Sequence, residues 1–223
     1  MELDNIIYPG FNKTLSDLNA ISKVKKKSCE IIDLTEIEWV RDVLRHRVEE
    51  VGTYDIKFRK PTDEEIHIVS KIVGADINID DLKNNFHKNK RIIGITSGKG
   101  GVGKSTITSL LGIAFDELGK KVGIMDSDIW GYSVPKILGA KFPPIPFNER
   151  IFPSRINNLN VISMDYFVKQ DEAVIWRGPM LHKAIEQFLF EVLWHDIDVL
   201  LIDMPPGTGD VSISLSQFLK YFE

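Results

Sequence analysis

From Arg91 onward, short apolar runs alternate with stretches whose apolar residues recur at helical spacing. Arg91-Ile92-Ile93-Gly94-Ile95-Thr96, Lys121-Val122-Gly123-Ile124-Met125, Asn160-Val161-Ile162-Ser163-Met164 and Asp198-Val199-Leu200-Leu201-Ile202-Asp203 read as buried strands. Between them, Thr106 to Phe115 reads as a helix, and Met180 to Leu193 as another carrying Leu181, Ala184, Ile185, Phe188, Leu189 and Val192 on its apolar side. Such alternation predicts a parallel sheet covered by helices on both faces. Pro143-Pro144-Ile145-Pro146 interrupts it and reads as a surface loop.

Residues 1–90 are patterned differently. Glu36 to Val51 sets Ile37, Val40, Val43, Leu44, Val48 and Val51 on one helical face. Thr62 and Glu65 form a capping box that opens a second helix, ending at Gly74, and Asp80 to His87 suggests a short third. Glu30–Leu34 and Tyr54–Phe58 are the strand candidates. The expected organisation is a small, mainly helical region over 1–90, of unassigned function, followed by an α/β domain over 91–223.

Composition narrows the class without naming the chemistry. The chain has 223 residues, 43% hydrophobic, with a net charge of −4 and a mean hydropathy of −0.08, as expected of a globular protein. Charge is balanced in both regions, so nucleic acid is not an expected partner. The basic run Lys23-Val24-Lys25-Lys26-Lys27 reads as a solvated loop. No apolar run is long enough to span a bilayer and no secretory signal opens the chain, so the expectation is a cytoplasmic protein without a membrane partner. The single cysteine, Cys29, cannot form an internal disulfide, nor by itself hold a zinc ion or an iron–sulfur cluster.

Candidate chemistry is concentrated after the first strand of the α/β region. Gly98-Lys99-Gly100-Gly101-Val102-Gly103-Lys104-Ser105-Thr106 satisfies the G-x-x-x-x-G-K-S/T pattern of a phosphate-binding loop. Glycines there let successive backbone N–H groups curl round a phosphate, Lys104 supplies the cation and Ser105 a hydroxyl for Mg²⁺. Two acidic strings follow predicted strands: Asp126-Ser127-Asp128, and Asp203-Met204-Pro205-Pro206-Gly207-Thr208-Gly209-Asp210. Carboxyl ends of strands are where open α/β sheets bind ligands. Asp203 is the candidate Mg²⁺ carboxylate, and Gly207 a candidate backbone donor to the γ-phosphate in a segment able to move when that phosphate leaves.

The loop, with Lys99 just after its first glycine, resembles the deviant Walker A loop of the MinD, ParA, nitrogenase iron protein and Mrp/Nbp35 groups. Three further strings are similar to the Mrp/Nbp35 (ApbC-like) iron–sulfur cluster carrier ATPases: Asp126-Ser127-Asp128-Ile129-Trp130-Gly131-Tyr132-Ser133-Val134-Pro135, Trp176-Arg177-Gly178-Pro179-Met180 and Asp203 to Asp210. The resemblance covers residues 91 to about 219. It implies an α/β P-loop NTPase whose parallel sheet is flanked by helices, and a Mg²⁺-dependent ATPase serving iron–sulfur cluster assembly or transfer. It further implies a homodimer across the nucleotide, in which Lys99 reaches the partner's phosphates, and delivery to iron–sulfur acceptor or scaffold proteins. Asp128 would position the attacking water, and Asp126 would stand beside the metal.

Tyr132 departs from the family's usual proline, and residues 1–90 do not obviously match the small domain often fused ahead of bacterial members. The family's Cys-x-x-Cys pair, which binds a bridging [4Fe–4S] cluster, does not occur before Glu223. The chain therefore reads as incomplete at the C-terminus of the fold, with residues 91–96 at an exposed sheet edge. A MinD/ParA-like positioning ATPase and a truncated nucleotide-binding module without turnover are the alternatives. A GTPase is disfavoured because Asn12-Lys13-Thr14-Leu15 lacks the aspartate of the guanine signature.

Overall fold

The structure, a computed structural model, describes residues 2–25, 28–88, 90–129, 131, 133–167, 178–194, 197–207 and 209–219. Its contacts divide it into two units: Met1–Ile77 with Ile145–Phe152, and Asn78–Pro144 with Pro153–Glu223.

In the first unit, Ser28–Ile32 is the central strand of three, antiparallel to Ile21–Lys25 and parallel to Asp55–Arg59. Helices Glu38–Glu49 and Asp63–Val73 complete it, the first burying Val40, Leu44 and Val48 at the spacing the sequence shows. Both halves of the Thr62/Glu65 capping box form, and Gly74 ends that helix at φ 65°, the left-handed conformation that favours glycine. Tyr8 is buried, and its hydroxyl accepts from the Leu34 amide at 2.9 Å.

Two local readings differ. The basic run is, as far as Lys25, an edge strand with Lys23, Val24 and Lys25 all exposed; alternation cannot separate such a strand from a loop when neither face is buried. The proline-rich segment is not a surface loop throughout. Ile145–Phe147 pairs with Arg150–Phe152 as a short hairpin, with Ile145 and Phe147 buried and the Phe147 and Phe152 rings 5.1 and 4.3 Å from that of Phe11.

The second unit holds a five-stranded sheet in the order Ser154–Ile156, Leu159–Ser163, Val122–Asp126, Val199–Asp203, Arg91–Ile95. The last four strands are parallel, and only Ser154–Ile156 runs against its neighbour. Val122–Asp126 and Val199–Asp203 are buried along their whole length, which accounts for the apolar run that precedes the aspartate ending each. Arg91–Ile95 lies at the edge of this sheet among the described residues.

Helices Lys104–Glu117, Gly178–Phe190 and Asp210–Phe218 belong to this unit. Gly112 lets the first approach the sheet, since a Cβ there would stand 2.6 Å from the Ile124 side chain. Gly123 makes the corresponding space for the Trp194 ring. Register then aligns the carboxyl ends of three strands: Asp203 is opposite Asp126, and Asp126 opposite Ser163. Among the described residues no helix is long and apolar enough to cross a membrane.

Candidate nucleotide site

The segment Ser97–Gly103 joins the edge strand Arg91–Ile95 to the helix that starts at Lys104. Gly101 and Gly103 adopt φ 73° and 92°, conformations that L side chains rarely take. A Cβ placed on Gly98, Gly100, Gly101, Gly103 or Gly207 would meet nothing within 4 Å, so the space before the loop is open. It opens onto a cavity of about 530 Å³ lined by Gly101, Gly103, Lys104, Ser105, Thr106 and Asp128, among others. The amino end of a fourteen-residue helix faces this space and brings unpaired N–H groups and a positive dipole end to it.

Behind the glycines lies a small network of charges. The Lys104 ammonium is 3.5 Å from an Asp128 carboxylate oxygen, and both side chains are 8% exposed. Gly131 leaves room for that carboxylate, because a Cβ there would be 3.1 Å from it. Asp203 accepts from the Ser105 hydroxyl at 2.5 Å and from the Thr108 hydroxyl at 3.1 Å. Asp126 accepts from the Ser163 hydroxyl at 3.0 Å and from the backbone amides of Val134 and Asp128 at 3.3 Å each. Burial, and then the nearby Asp203 carboxylate, push Asp126 up to about 7. Asp203 is also raised, chiefly by burial, while Ser105, Lys104 and Thr108 pull it back.

The two strings after the strands are tied together. Ser127 donates to the Asp203 carbonyl through its amide at 2.9 Å and its hydroxyl at 2.8 Å. The Gly207 amide donates to the Ser97 carbonyl at 2.9 Å, which fastens the candidate switch segment to the loop. Gly207 itself sits at φ 84°.

Lys104, Ser105, Thr106 and Asp128 thus share one cavity, whereas Asp126 and Asp203 lie fully buried beneath it. Lys99 and Val102 face solvent, and neither lines the cavity. Thr108, Ser127 and Ser163 were not legible as site residues. Thr108 is signalled by its place one helical turn beyond Lys104, but the other two depend on strand register. Trp176 and Arg177 lie outside the described residues, as do Trp130, Tyr132 and Thr208.

Ser105 and Asp203 offer adjacent hard oxygen donors, the kind that suit Mg²⁺ when nucleotide phosphates supply the rest of its shell. Among the described residues no group of three or more His, Cys, Asp or Glu is arranged to hold a metal alone. Cys29 is buried in the first unit, and burial raises its thiol pKa.

A protein-family model described as ParA, NUBPL iron-transfer P-loop NTPase, matches residues 88–223. The chain belongs to this family. The Mrp/Nbp35 resemblance is therefore shown, together with its P-loop α/β fold. The chain is 47% identical over 133 residues to an iron–sulfur cluster carrier protein of Mycobacterium leprae, covering 60% of this chain and 35% of that one. An iron–sulfur cluster carrier protein of Helicobacter pylori is 34% identical over 222 residues, covering 96% of this chain and 59% of the relative. That alignment extends into residues 1–90, which the sequence alone did not connect to the family. Among solved structures, a nucleotide-binding protein of Archaeoglobus fulgidus in complex with ADP is 34% identical with a TM-score of 0.51, covering 64% of this chain and 55% of that one. The chain spans between about a third and three-fifths of these relatives.

Proposed function

We propose that this chain binds ATP with Mg²⁺ at Gly98–Thr106 and hydrolyses the β–γ phosphoanhydride, in the service of iron–sulfur cluster assembly or transfer. The observation that carries this is the juxtaposition of Lys104 with Asp128, and of Ser105 with Asp203, at one helix terminus and one cavity. Backbone amides of Gly100 to Gly103 would cradle the β-phosphate, and Lys104 would leave Asp128 to neutralise the β- and γ-phosphate oxygens. Asp128, so released, would hold the water whose oxygen attacks the γ-phosphorus; the bond from that phosphorus to the bridging oxygen breaks, giving ADP and inorganic phosphate.

Ser105 and Asp203 would hold the Mg²⁺, with Asp126 beside them; the ion would neutralise charge on the phosphates. Gly207 would lend its amide to the γ-phosphate in exchange for its bond to Ser97. Lys99, exposed, is placed in this proposal as a donor to the nucleotide of a second copy in a homodimer. The [4Fe–4S] cluster is cargo, passed to acceptor or scaffold proteins, and its ligands are not among the described residues. The compartment in this proposal is the cytoplasm, where a lone thiol such as Cys29 stays reduced.

Phosphate release from Mg²⁺–ATP, with nucleotide affinity measured in parallel, tests the proposal. Lys104→Ala should abolish binding, and Asp128→Ala should bind nucleotide while losing a factor of about 100 or more in turnover. Lys99→Ala should remove only the part of the rate that rises with protein concentration. Binding without any turnover by the unaltered protein would leave a nucleotide-binding module instead, and binding undiminished in Lys104→Ala would move the site elsewhere.

A further inference from the structure

A second cavity, of about 430 Å³, lies at the opposite end of the sheet from the phosphate loop. Its lining residues all belong to the second unit. Lys90 immediately precedes the edge strand, whereas Lys104 follows the loop at that strand's other end. Five strand residues at about 3.3 Å each therefore separate the two ends by roughly 16 Å.

The cavity has an apolar floor and a cationic rim. Phe86, Leu189, Phe190 and Trp194 are 5%, 0%, 3% and 5% exposed and form much of the floor. Trp194 is fixed there, since its indole N–H donates to the Phe188 carbonyl at 2.7 Å and its ring fills the space above Gly123. Among the described residues, Lys88, Lys90 and Lys121 line the cavity with one carboxylate, Asp198. That carboxylate already accepts from the Lys121 backbone amide at 2.9 Å.

Lys90 is the informative member. Its ammonium lies 4.5 Å from the centre of the Phe86 ring, and it has no carboxylate partner among the described residues. Burial lowers its pKa from the ordinary lysine value, the sign of a cation that has given up water without gaining an anion. A cation held over an aromatic face at the lip of an apolar cavity is half of a recognition pair. Its complement is a molecule with an apolar body and one anionic head.

We propose that this cavity binds a small amphipathic anion, its head on Lys90 and its apolar body against Phe86, Phe190 and Trp194. The head and the body are both required. A bare anion gains too little from partly solvated lysines, and a neutral apolar molecule leaves the Lys90 ammonium as poorly solvated as before. The site is independent of nucleotide chemistry.

Octanoate, octanol and acetate are the probes, titrated into the full chain by calorimetry and by protein NMR. Octanoate should bind saturably at one site, with octanol and acetate each weaker by about tenfold or more. Lys90→Met, which keeps the bulk of the side chain and removes its charge, should weaken octanoate by about tenfold and leave octanol unchanged. Lys104→Ala should bind octanoate as the parent does, and Lys90→Met should bind nucleotide as the parent does. Absence of a saturable octanoate site, equal affinity for acetate, or undiminished octanoate binding in Lys90→Met would overturn the proposal. So would loss of octanoate binding in Lys104→Ala, which would put the anion in the phosphate loop.

Discussion

Replacing Asp126 with asparagine should stabilise the nucleotide-free protein above neutral pH and give it no advantage in mild acid. Asp126 is fully buried at the end of a central strand, where three donors favour its charged form. Burial and the Asp203 carboxylate outweigh them, raising it from 3.8 to about 7. The folded state therefore holds this proton more tightly than the unfolded chain does. Stability declines as pH rises from about the unfolded pKa toward the folded one, and the full penalty is felt above neutrality. At about 1.36 kcal/mol per pH unit, the interval from 3.8 to about 7 sets an upper bound of about 4 kcal/mol. Asparagine removes the charge and keeps one acceptor oxygen, but it brings an NH₂ group that must find a partner. A net gain of about 1–3 kcal/mol is then expected at pH 8, or several degrees in Tm for a chain of this size. Thermal unfolding followed by circular dichroism, without nucleotide or Mg²⁺, at pH 8 and at pH 5 measures it. An advantage of equal size at both pH values would refute the reasoning, as would a variant less stable than the parent at pH 8.

Two further substitutions test the packing and electrostatics of the separate units. Gly123→Ala would bring a Cβ within 2.8 Å of the Trp194 ring and 3.0 Å of Ile197, both buried, and should cost about 1–3 kcal/mol in urea unfolding. Arg41→Met leaves the buried Asp33 carboxylate without the guanidinium that now stands 2.6 Å away. Because Asp33 still accepts from the Glu36 amide at 2.9 Å, the loss should be about 1–3 kcal/mol. Most of that loss should be recovered in the double variant with Asp33→Asn, as thermal unfolding of the two proteins will show.

Where a single pattern governed a segment, the sequence announced the element. Val199 to Ile202 is apolar throughout because the strand is buried along its length, and that burial is what the unbroken run expresses. The Thr62/Glu65 box was legible because its partners are three residues apart, so no tertiary information is needed. The hairpin at Ile145–Phe152 was hidden for the opposite reason. Its prolines signal a break locally, whereas what holds it is the distant Phe11 ring, in a unit the chain had left some seventy residues earlier. Ile21–Lys25 was obscured by its lysines, since an edge strand open to solvent carries little apolar signature.

The same distinction divides the site. Gly101, Gly103, Lys104 and Ser105 could be read together because one turn of chain brings their backbone and side chains to one place. Ser163 could not, because its meeting with Asp126 at 3.0 Å exists only through the parallel pairing of Leu159–Ser163 with Val122–Asp126. That pairing, with Asp203 opposite Asp126 on the other side, is also what gathers two carboxylates into one buried layer and raises both. A motif can thus name the aspartates, but only strand register sets the Asp203 carboxylate beside Asp126. Shifting Val199–Asp203 by one residue would invert its side chains across the sheet and take the Asp203 carboxylate away from Ser105 and Thr108. The buried run Val199-Leu200-Leu201-Ile202 therefore has a part in the site without touching any ligand: its packing fixes the register that holds the carboxylate beneath the loop.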